Sequence, residues 1–107
     1  MTAGVSSFWR LPTYIDNRVL AADTAESIAR PSGYNAALIT ADVDCWIRRS
    51  GTAAAPSADV TDGTGSALVS AGVGRLVDFG TATLGSPSSS ISIIAAEAAN
   101  VSIEWFA

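Results

Sequence analysis

Ten carboxylates, six arginines and one thiol are the groups in this chain that could do chemistry, and the sequence contains no histidine to work with them. A Ser-His-Asp or Cys-His nucleophile cannot be assembled without one. A zinc cage fails for the same reason, since one cysteine cannot supply the ligands alone. Lysine is also absent, which removes the phosphate-cradling Walker loop. Gly72-Val73-Gly74 is a bare GxG and reads as a turn. Asp59-Val60-Thr61-Asp62-Gly63-Thr64 could offer oxygens to calcium, but it lacks the alternating acids and closing glutamate of a calcium loop. Aspartates also open turns by bonding their own backbone. Asp42 and Asp44, two apart on an expected strand face, could form an acid pair of the glycosidase kind. Arg48 and Arg49 at the end of that strand are natural partners for such acids, in this chain or another. Nothing around the pair marks a substrate pocket. Trp9, Trp46 and Trp105 could stack on sugar rings, although tryptophan serves cores and interfaces more often. The expectation is a protein with no catalytic residue, no cofactor and no metal site.

Composition sets the frame for these groups. The 107 residues fit one domain. A chain of this size buries roughly 65% of its unfolded surface. Nearly half the residues are hydrophobic, yet much of that share is alanine, so the core must be thin and flat. Two facing sheets suit such residues better than a helical bundle. The net charge of -4 disfavours broad binding to nucleic acid. The positive charges are all arginine: Arg10, Arg18, Arg30, Arg48, Arg49 and Arg75. Codon bias accounts for such usage, and so does a need for forks that bind carboxylates across interfaces. Cys45, alone, excludes an internal disulfide and reads as a buried structural thiol. No apolar run reaches the ~20 residues of a membrane-spanning helix. The first residues, MTAGVSSFWRLPTYIDN, show neither the basic start nor the apolar stretch of a signal peptide.

Period-two alternation dominates the elements that must position these groups. Val43, Cys45 and Ile47 fall on one face of an expected strand, and Asp44, Trp46 and Arg48 on the other. Ser90-Ile91-Ser92-Ile93 alternates strictly, and Val101, Ile103 and Trp105 share a face. Arg75–Phe79 and Ala36–Thr40 read as further strands, and Ser66–Ser70 as a short segment between glycine-rich turns. Turn residues separate the runs: Pro31-Ser32-Gly33, Ser50-Gly51, Asp62–Gly65, Ala71–Gly74, Gly85–Ser88 and Glu97–Asn100. The alanine-rich stretch Val19–Arg30 admits a helix, but two strands with a bend near Asp23-Thr24 agree better with its neighbours. The expected fold is all-β: a small antiparallel, jelly-roll-like β-sandwich over residues 17–107, behind an irregular N-terminal arm, residues 1–16. That arm holds Phe8, Trp9, Leu11, Tyr14 and Ile15 with little polar cover, which points to docking on its own domain or, as the favoured reading, on a neighbouring chain.

The pattern resembles that of small accessory structural proteins of tailed-phage virions. The likeness rests on Ile28–Gly33, a strand ending in a Pro-Ser-Gly turn; on Asp42–Gly51, an aromatic strand ending in arginines and glycine; on the Thr52–Thr64 loop and Gly65–Gly72; and on the alternating close Ser90–Phe106. It covers residues 17 to 107. It implies a sandwich that decorates or cements a capsid, or serves a tail or neck, and it transfers no catalytic residue. The expected partners are the major capsid protein and further copies of the same chain, a trimer among the arrangements, with no nucleic acid and no membrane. The expected location is the capsid surface of a virion assembled in the host cytoplasm. The expected contact residues are Phe8, Trp9, Arg10, Leu11 and Tyr14 of the arm and the rim arginines Arg48 and Arg49. The alternatives are a tail/neck or fibre-associated structural protein, or a glycan-binding adsorption module.

Overall fold

A computed structural model describes residues 14–49, 51–79 and 90–106. Among them are eight strands and no helix: β1 Tyr14–Leu20, β2 Glu26–Ala29, β3 Ala36–Ala41, β4 Cys45–Arg48, β5 Ala67–Val69, β6 Arg75–Asp78, β7 Ser90–Ala95 and β8 Ala99–Phe106. They form two four-stranded sheets, β1-β8-β3-β6 and β2-β7-β4-β5. Every pairing is antiparallel. The pairs β1·β8, β2·β7, β3·β6 and β4·β5 nest inside one another, as in a single long hairpin rolled up on itself. The β3·β8 and β4·β7 pairings then close each sheet. Every connection except β4–β5 crosses from one sheet to the other. This is the strand order of the eight-stranded jelly roll.

The alternation read from the sequence places the core. Ile91, Ile93 and Ala95 of β7 face Val101, Ile103 and Trp105 of β8, all of them buried. Ala37, Ile39, Cys45, Ile47 and Val69 fill the layer between. The small alanines keep the two sheets close. At one end of the layer the Phe79 and Trp105 rings lie tilted, 5.6 Å between centroids. Arg30 and Arg49 each sit over the Phe79 ring, at 5.7 and 5.5 Å. A polar guanidinium can cap an apolar layer in this way at little cost, because the ring face attracts the charge.

The Val19–Arg30 stretch is two strands, bent where Asp23 takes a positive φ of 55°. Aspartate tolerates that conformation better than most residues. The Asp23 N–H donates to the Ala95 carbonyl at 2.8 Å, which ties the bend to the end of β7.

Three boundaries differ from expectation. The domain does not begin at residue 17: Tyr14, Ile15 and Asp16 belong to β1 and pair with Trp105, Glu104 and Ile103. Their alternation was hidden because polar and charged residues occupy the inward positions of an edge strand. The Trp46 strand begins at Cys45 rather than Val43, because Asp42 and Val43 form the bend that carries the chain between sheets. The last turn is shorter than Glu97–Asn100, since Ala99 and Asn100 already pair in β8.

The open sides of the sandwich are laced by arginine. On one side Arg18 of β1 bonds Glu26 of β2 at 2.8 Å, across from one sheet edge to the other. Both side chains are about one-third exposed, so the pair contributes at most about 1 kcal/mol. On the other side Arg75 of β6 donates to the Leu68 carbonyl of β5. Arg49 donates to the Asp78 carbonyl of β6 at 2.8 Å.

Ile103 is fully buried at the centre of β8. Ile103→Ala should lower unfolding stability by about 2–5 kcal/mol in urea titration. Arg18→Met should change it by less than about 1 kcal/mol.

Candidate functional site

Asp42 and Asp44, whose spacing allowed an acid pair, each bond elsewhere. Asp42 accepts the Asn100 backbone N–H at 2.8 Å and its side-chain amide at 2.9 Å. These bonds hold its carboxyl below the ordinary aspartate range, the backbone donor having the largest effect. Asp44 accepts the Ala71 N–H at 2.8 Å and so anchors the β5–β6 turn. Both carboxylates tie connections together, and neither is bonded to Arg48 or Arg49.

Asp62 accepts the Thr64 hydroxyl at 2.6 Å and the Thr64 N–H at 3.1 Å. This is the aspartate turn that its sequence also allowed. Those bonds depress its carboxyl, and the charge of Arg48 adds the smallest share. No cluster of three metal-ligating side chains exists among the described residues. Cys45 is buried and unpaired, and its Sγ lies 3.4 Å from the Val43 carbonyl. Burial pushes its thiol up first, and the charges of Asp42 and Asp44 push the same way. A raised thiol is a poor nucleophile, in keeping with a structural role.

The tryptophans separate. Trp105 is buried in the core and donates from Nε1 to the Asp16 carboxylate at 3.1 Å, so it is closed to any sugar. Trp46 lies half-buried on the outer face of the β2-β7-β4-β5 sheet, between Leu68 and Ile94 in one cross-strand row. It borders an open depression of about 500 Å³ shared with Asp42, Asp44 and Glu97. Trp9 lies outside the described residues, as do Phe8, Arg10 and Leu11. Tyr14, the remaining arm contact, meets Tyr34 edge to face at 5.3 Å. It is therefore docked on its own domain while staying 41% exposed.

The most extensive candidate surface is one that the sequence reading missed. Alternation turns Ile15, Val19, Leu38, Leu76 and Phe106 to the outer face of the β1-β8-β3-β6 sheet. Leu76, Leu38, Glu104 and Ile15 make one continuous cross-strand row. Thr40, Ser102 and Asn17 make the next. Ile15, Val19 and Leu76 are each about half to three-quarters exposed. No arginine stands on this face, and its charges are Glu104 and Asp78 only. Its sequence signal is β3, whose alternation places apolar residues on both faces, together with the outward Ile15 and Val19 of β1.

Comparison with known proteins adds no relative: no family model, curated protein or solved structure matches the chain.

The depressed carboxyl of Asp42 has a pH consequence. Its folded value lies below its unfolded one, so its contribution to stability is full above the ordinary aspartate value of about 3.9 and fades as pH falls through the lower folded value. Carboxyl NMR should show an Asp42 midpoint below the ordinary aspartate value of about 3.9. Asp42→Asn should flatten the loss of stability on acidification in that window.

Proposed function

We propose that this chain is a non-catalytic structural protein of a tailed-phage virion, a decoration or cement protein bound to the outer capsid surface and stabilising contacts between capsid subunits. The observation that carries the reading is the outer face of the β1-β8-β3-β6 sheet. Soluble monomers rarely leave adjoining apolar side chains open on a flat sheet, and such a patch marks a protein contact. Here Leu76 and Leu38 adjoin, Glu104 stands between them and Ile15 in the same row, and uncharged Thr40, Ser102 and Asn17 border it. A flat, weakly charged face suits a flat shell. The jelly roll is itself an architecture recurrent in viral capsid domains. Many identical copies on a symmetric shell bind by avidity, so no single contact has to be strong.

Particles carrying Leu76→Asp together with Ile15→Asp test this. Surface changes of this kind alter folding stability by about 0.5 kcal/mol or less. They should nevertheless reduce the copies retained per particle about tenfold, through loss of one or two anchoring contacts. Unchanged occupancy, measured by quantitative mass spectrometry of purified particles, would overturn the reading. Copy number in the native particle separates a shell position from a neck or tail position.

A glycan-binding adsorption module is the second reading, favoured by one observation. Trp46 borders an open depression together with Asp44 and Glu97, an aromatic beside acceptors of the kind that hold sugar hydroxyls. Binding on a glycan array that disappears in Trp46→Ala would support it, and a silent array would remove it.

A further inference from the structure

Half of the positive charge of this acidic protein lines one small cleft. Arg48, Arg49 and Arg75 border an open cavity of about 330 Å³ on the side of the sandwich where the edge strands β5 and β6 lie next to each other. Asp78 lines it too, so three positive charges against one negative leave a local excess of two, in a chain whose net charge is -4. Arg75 donates to the Leu68 carbonyl, and Arg49 donates to the Asp78 carbonyl while lying over the Phe79 ring. Arg48 rests against Gly51, whose φ is +98°. A Cβ at position 51 would fall 2.8 Å from the Arg48 Cζ and 2.9 Å from its Nη1, so only glycine leaves room for the guanidinium where it lies. Among the described residues no carboxylate is within ion-pair distance of Arg48 or Arg75. Asp62 feels Arg48 only as the least of the influences on its carboxyl.

We propose that this cleft is a binding site for a carboxylate, gripped by Arg48 and Arg75 and oriented by Arg49. A guanidinium fork matches a planar carboxylate with two parallel hydrogen bonds. Arg49, bonded to the Asp78 carbonyl and resting on the Phe79 ring, is the best placed of the three. The overall negative charge disfavours an extended polyanion and leaves a compact acid as the suitable ligand. The carboxylate has two sources, a free dicarboxylic acid or an acidic side chain of another protein. The cleft opens beside Leu76 at the margin of the apolar sheet face, where a chain lying on that face would bring its acidic residues. The site stands independently of the virion reading.

The test is a titration of the folded protein, followed by NMR of the arginine Nε–H groups and the Gly51 amide. The probes are succinate, a blocked tetraglutamate peptide and inorganic phosphate. Saturable shifts with succinate or the peptide are expected, weakened by added salt. Affinity should fall about tenfold or more in Arg75→Gln, the size expected for losing a charge-assisted hydrogen bond. Arg48→Gln should have the same effect and serves if the Arg75 variant does not fold, since Arg48 makes no hydrogen bond that Gln would break. Tighter binding of the peptide than of succinate assigns the carboxylate to a protein chain, and the reverse assigns it to a small acid. No saturation by either carboxylate, saturation by phosphate alone, or equal affinity in Arg48→Gln would overturn the proposal.

Discussion

The structure depends on the face-to-face packing of β7 and β8. Each is an inner strand of its sheet, and between them they pair with β1, β2, β3 and β4. Their inward residues, Ile91, Ile93 and Ala95 against Val101, Ile103 and Trp105, are the apolar surface on which the other strands assemble. Burial of these side chains is the main favourable term, at about 1.5–3 kcal/mol for each large one. The shorter outer strands have few such residues: β5 has three positions, one of them fully buried, and β6 has four, also with one buried. They are held by hydrogen bonding to strands already placed. A last strand pair that organises what precedes it also makes most contacts long-range, which is the usual condition of jelly rolls.

That dependence explains which features were legible in the sequence. β8 and β3 alternate cleanly because they are inner strands with one buried face, and a one-residue slip would expose the whole set; β7 departs from this at Ser92, buried where it accepts the Ala53 N–H. The Asp23 bend was legible because helix propensity in Val19–Arg30 is local, whereas the neighbouring strands offer partners on both sides. β1 was only half legible. Its inward positions Tyr14, Asp16 and Arg18 lie at an edge, where a polar side chain can face inward and still reach water or a partner. Asp16 finds the Trp105 indole and Arg18 finds Glu26. An edge strand therefore does not carry the binary pattern of an inner one, and its first residues read as a loose arm.

The same edges account for much of the arginine usage. A jelly roll leaves four edges, here β1, β6, β2 and β5. Unpaired edges invite pairing with other chains, and short strands or inward-pointing charges blunt them. Three of the edges are short, and the long one, β1, carries inward Asp16 and Arg18. Arg49 and Arg75 span the opposite gap through backbone carbonyls. A guanidinium does this better than an ammonium, because its fixed fork reaches a carbonyl while its plane rests on apolar surface. Codon bias alone would not place the arginines at the seams.

The seams and the outer face also divide the surface into regions with different capacities. Asp42 and Asp44 each accept a backbone N–H, from β8 and from the β5–β6 turn respectively. Those acids are structural, and their spacing in sequence reflects a connection between sheets rather than an acid pair. The exposed apolar row through Leu38 and Leu76 has no comparable internal partner. It ends at the arginine cleft, so apolar area and positive charge adjoin along one border. An interface gains affinity from the first and orientation from the second. Those two properties adjoin on the surface that the proposed contact with another chain would use.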